Sequence, residues 1–68
     1  MEEKTARELA EIVAGRLNIS DTLISVHPSE VLGWTATVVA RPLVIILAQS
    51  IVDEIVIELR GKYSLKRD

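Results

Sequence analysis

His27 and Glu30 are the only histidine–carboxylate neighbours in the chain, and they sit just ahead of Trp34. A general base oriented by a carboxylate is built from residues of this kind. A small enzyme would have to gather His27, Glu30 and Arg41 around one pocket. A single histidine next to Pro28 is, however, the ordinary composition of a solvated turn. Without cysteine or a second histidine, three or four metal ligands of the usual kinds do not come together. Asp53, Glu54 and Glu58 fall on one helix face, where a run of charge is the solvated side, and Ser50 has no neighbouring base to activate it. The glycines, Gly15, Gly33 and Gly61, are isolated, so no glycine-rich loop cradles a phosphate. The sequence therefore predicts no catalytic, cofactor-binding or metal-binding residue, and no cofactor.

Charge narrows the partners. Eight basic and ten acidic side chains leave a net charge of −2, which gives no general attraction for nucleic acid or an anionic membrane. The longest uncharged run, Pro42 to Val52, is about half the roughly 20 residues a bilayer requires. Met1-Glu2-Glu3-Lys4 lacks the basic-then-apolar order of a secretory signal. The expectation is a cytoplasmic protein away from the membrane, compatible with the absence of cysteine.

The elements that would position any site follow from periodicity. Ala6, Leu9, Ala10, Val13 and Leu17 form one helical stripe. Thr5 and Glu8 have the form of a capping box, and Asn18 suits a left-handed cap. Glu3, Arg7 and Glu11, four apart, would pair on the outer face. Asp21 to Pro28 reads as a strand, Ser29 to Gly33 as a loop, and Trp34 to Ala40 as a second strand with period-two alternation. The two are close enough to form a hairpin.

From Leu43 to Arg60 the apolar residues Val44, Ala48, Ile51, Val52, Ile55, Val56 and Leu59 again make one stripe, with Gln49, Asp53, Glu54, Glu58 and Arg60 opposite. Pro42 suits the first turn and Gly61 the position past the end. A continuous helix is favoured, because nothing punctuates Leu47 to Ser50. The alternative makes 43–47 a buried third strand. Its αβββα order resembles that of a double-stranded-RNA-binding domain, a family that uses lysines at the start of its last helix. Gln49-Ser50-Ile51-Val52-Asp53-Glu54 is acidic instead, so the resemblance stops at element order and nucleic-acid binding remains only a secondary expectation. A KH module would need a GxxG loop, and stacking on bases would need more aromatics than Trp34 and Tyr63.

The expected fold is thus a single α+β domain over residues 1–68, helix, antiparallel hairpin and helix (αββα), with both helices on one sheet face and the tail 66–68 frayed. Its expected core is Leu9, Val13, Leu17, Ile24, Val26, Val38, Val52, Ile55 and Leu59, with Trp34 at the margin. Isoleucine, leucine and valine number 24, a heavy load where only about 60% of the unfolded surface can be hidden. Leu43, Ile46, Leu47 and Ile57 fall among polar residues on the second helix, and with Trp34 they are the candidate interaction residues. Trp34 to Ala40 also carries no Lys, Pro or Glu to discourage strand pairing. A homodimer is expected, joined through helix faces or through two hairpins merged into a four-stranded sheet. Docking of another protein and a small enzyme on the His27 loop are the alternatives.

Overall fold

The computed structural model describes residues 1–66. Its order is β1 (Glu2–Lys4), α1 (Ala6–Leu17), β2 (Leu23–Ser29), β3 (Gly33–Val39), α2 (Pro42–Arg60) and β4 (Tyr63–Leu65), an α+β arrangement of two helices and short strands.

Thr5 starts α1 through a complete capping box. Its hydroxyl accepts from the Glu8 amide at 3.1 Å, and the Glu8 carboxylate accepts from the Thr5 amide at 3.0 Å. That bond from the Thr5 amide holds the Glu8 carboxyl below its ordinary range. Asn18 ends the helix at φ 50° and donates its backbone amide to Ala14, because its short polar side chain tolerates the left-handed region. Asp21 is also left-handed, at φ 60°. That turn delays β2 to Leu23, two residues later than the sequence suggests.

β2 and β3 form the antiparallel hairpin, in register from Leu23 opposite Val39 to Ser29 opposite Gly33. Gly33 sits at φ +88° where the turn rejoins β3, a conformation that costs other residues strain. Trp34, Ala36 and Val38 face inward and are buried, with Ile24 and Val26 half-buried beside them. Leu23, Ser25, His27, Thr37 and Val39 face out. Both helices therefore cover one face, α1 over β2 and α2 over β3.

The segment 43–47 is helical, not a third strand. Arg41 is extended at ψ 147° and Pro42 opens the first turn, where its missing amide costs nothing. The Arg41 carbonyl then accepts from Val44 and Ile45, each at 2.9 Å. Ala48, Val52, Val56 and Leu59 are fully buried along one stripe, while Val44, Ile51 and Ile55 pack at its margin. Of the expected core, Ile24, Val26 and Ile55 are marginal, and Trp34, Ala36, Ala48 and Val56 belong to its centre. Gly61 caps α2 in the right-handed region, at φ −74°.

Two short strands lie beyond the expected αββα order. β1 and β4 pair in parallel, Glu2 beside Tyr63 and Lys4 beside Leu65. The Lys66 amide extends the ladder by donating to the Lys4 carbonyl at 2.8 Å. Lys66 is thus tied down, and the rest of the expected frayed tail lies outside the described residues. Glu3, placed in β1, is not part of the outer face of α1, where Arg7 pairs with Glu11 alone at 3.6 Å. Lys4 meets Glu2 at 2.8 Å and lies 5.3 Å from the centre of the Tyr63 ring. The Glu2 hydrogen bond keeps the Lys4 ammonium above its ordinary range.

Candidate self-association surface

Helix α2 turns the stripe Ala48–Val52–Val56–Leu59 toward the sheet, so residues three and four positions apart on its other side must meet solvent. Leu43 is 99% exposed, Ile46 82% and Leu47 63%. These three stand at i, i+3 and i+4 and form one contiguous apolar surface over the first turns. Ile57, 66% exposed, shares their side of the helix but lies about 15 Å farther along the axis at 1.5 Å per residue. Ser50 and Glu54 intervene, so Ile57 is a separate apolar point. Trp34 is 1% exposed. Its indole N–H donates to the Tyr63 carbonyl at 3.2 Å, so this candidate is a core residue that ties the hairpin to β4 and presents no surface. The sequence did not single out Leu23 and Val39, a directly opposed cross-strand pair exposed at 73% and 58%. Their period-two position on the outer sheet face was the available signal.

The free edge of β3 is guarded from outside its own sequence. The Gln49 side-chain oxygen accepts from the Val38 amide at 3.0 Å, and its nitrogen donates to the Ala36 carbonyl at 3.2 Å and to Asp53 at 2.8 Å. Farther along, the Arg60 guanidinium donates to the Trp34 carbonyl at 2.7 Å. Gln49 and Arg60, expected on the solvated side of α2, are instead half-buried residues that reach back over the sheet margin. Merging two hairpins through β3 would require these bonds to break.

His27 is exposed, and its Nε2 lies 3.0 Å from the Thr37 hydroxyl on the neighbouring strand. Arg41 pairs with Asp21 at 2.9 Å. A groove of about 470 Å³ between β3 and α2 is lined by Thr37, Val38, Ile45, Ile46, Gln49, Ser50 and Asp53. A smaller one, about 300 Å³, lies by Trp34, Arg60 and β4. Neither is lined by His27, Glu30 or Arg41. Among the described residues no three His, Asp or Glu side chains cluster as a metal site. None of the described helices is long and apolar enough to cross a membrane.

On the opposite flank of α2, Glu58 receives Arg16 of α1 at 2.6 Å and Lys62 at 3.6 Å. The Arg16 hydrogen bond holds the Glu58 carboxyl below the usual carboxylate range. This flank is charged and locked to α1, whereas the first turns around Leu43, Ile46 and Leu47 carry no charge and are exposed. No protein family, curated protein or solved structure matches the chain.

Proposed function

We propose that the chain is a non-catalytic interaction module that works as a homodimer, with Leu43, Ile46 and Leu47 of α2 against a second copy. The observation that carries the proposal is the contiguous exposure of these three side chains on a helix whose opposite side is fully packed. The surface balance supports it. A folded monomer of 7.5 kDa exposes roughly 4,250 Å² by the size scaling of globular proteins. This chain exposes 4735 Å². The chain thus exposes somewhat more surface than the scaling gives for its mass.

Sedimentation of the wild type beside Ile46→Asp and Leu47→Asp tests the proposal. The wild type should sediment as a dimer at micromolar concentration and both variants as monomers. A wild type that stays near 7.5 kDa with a concentration-independent melt would overturn it, and the face would then belong to a different protein.

A further inference from the structure

We propose that Gln49 decides whether β3 can pair with a second copy: its carboxamide stands in for a residue of an added strand and closes β3 against edge pairing. This closure does not rest on the helix-face dimer proposed above.

The geometry begins with the hairpin. In an antiparallel ladder, alternate residues turn both backbone groups toward the partner strand or away from it. Val38 gives its amide to Gln49, and Ala36 and Trp34 give their carbonyls to Gln49 and Arg60, so these alternate residues face away from β2. They form the row that an incoming strand would use. One residue of a parallel neighbour accepts from one such amide and donates to the carbonyl two positions earlier. Gln49 makes that pair of bonds, to Val38 and Ala36, with a side chain. Its second amide hydrogen goes to Asp53, one turn along α2, which fixes the head. Both hydrogens of the amide are then committed, and Asp53 acts as a positioning residue for the latch.

The need for a latch lies in the strand itself. Gly33 to Val39 is a seven-residue, uncharged strand of β-branched, aromatic and small side chains. An edge of that composition without a charge or proline is a template for another copy of itself. The groove of about 470 Å³ beside it, with Ile45 and Ile46 on its helical wall, leaves the approach open. Gln49 occupies the hydrogen-bonding row inside that groove, where a second β3 would otherwise pair.

The experiment compares wild type, Gln49→Leu and Gln49→Glu, each also in a Leu43→Asp/Leu47→Asp background that disables the helix face. Leucine keeps the size and helix propensity of glutamine but offers no polar head. Gln49→Leu should form thioflavin-positive, sheet-rich assemblies in both backgrounds, under conditions where its parent forms none. Gln49→Glu keeps the acceptor for Val38, loses the donor to Ala36, and should fall between them. Exchange of the Gln49 side-chain amide hydrogens in the wild type reads the latch without any variant. It should be slowed roughly fivefold relative to a free carboxamide, the protection of a bond worth about 1 kcal/mol. Folded Gln49→Leu with unchanged sedimentation and no thioflavin signal would overturn the proposal, as would free exchange of the wild-type carboxamide. If the wild type is monomeric and Gln49→Leu assembles, closure of the edge stands and the helix-face dimer falls.

Discussion

Leu43→Asp separates a monomer from a dimer by the sign of its effect. Leu43 follows Pro42 in the first turn of α2, and that turn contains no acidic residue and no side-chain cap from Arg41. In a monomer the leucine side chain, 99% exposed, contributes almost no burial. An aspartate there would face the positive end of the helix dipole and stabilise by about 0.3–1 kcal/mol. For a domain of this size, 1 kcal/mol shifts the melting temperature by roughly 4–8 °C. The monomer should therefore melt higher, by a few degrees. In a dimer the same leucine is covered, and losing its burial costs about 1.5–3 kcal/mol per subunit. Two copies weaken association by roughly 10²–10⁴-fold, before any cost of burying the carboxylate. The melting temperature should then fall, and its rise with protein concentration should disappear. Thermal melts across a wide concentration range, paired with sedimentation, read both quantities. A variant that melts higher than wild type at every concentration refutes the proposed dimer face.

Other substitutions probe the scaffold. Thr5→Ala removes the capping box of α1 and should cost about 1 kcal/mol in chemical denaturation; an unchanged midpoint would mean that the cap contributes nothing. Leu59→Ala, at a fully buried site between α2 and the sheet, should cost about 2–5 kcal/mol, and a loss well under that range would show that the site collapses around the cavity. Acid titration of stability should show a loss as pH falls below about 4.3, the ordinary glutamate value. Glu8 and Glu58 have folded-state pKa values below their unfolded ones, so their contribution is complete above the unfolded value and vanishes as pH drops through the folded one. Arg16→Met should flatten the Glu58 part of that slope, and an unaltered slope would contradict the assigned cause.

The helices and the hairpin were legible because their signals are local and redundant. α1 carries its cap, its stripe and its stop signal in fourteen consecutive residues, Thr5 to Asn18. In α2 no Gly, Asn or Pro interrupts 47–50, and that lack of punctuation favours one helix over a strand followed by a helix. β1 and β4 were not legible. Three-residue strands such as Glu-Glu-Lys have no room for a period-two apolar pattern, and their pairing joins residues about sixty positions apart. Leu43, Ile46, Leu47 and Ile57 are exposed, in keeping with their place among polar residues, and helical rise separates Ile57 from the other three. Trp34 opens a strand, a position that predicts the sheet margin. The added β4 supplies the carbonyl for its indole and turns that margin into core. Gln49 and Arg60 show the limit of periodicity most clearly. It reports the direction in which a residue leaves the helix axis, whereas a long polar side chain on the flank can bend back several ångströms to a backbone group that only the tertiary fold brings near.

The pairing of β1 with β4 also bears on the order of assembly. The hairpin and both helices are built from contacts close in sequence, and these form early at small entropic cost. The clasp must close a loop that contains nearly the whole chain, for only a few backbone bonds. It gains from closure only after α2 has docked and carried Tyr63 to Trp34. Interactions made that late are absent from the rate-limiting barrier, so they govern how long the native state survives rather than how quickly it is reached. Weakening the β1–β4 pairing is therefore expected to speed unfolding and to leave the refolding rate nearly unchanged.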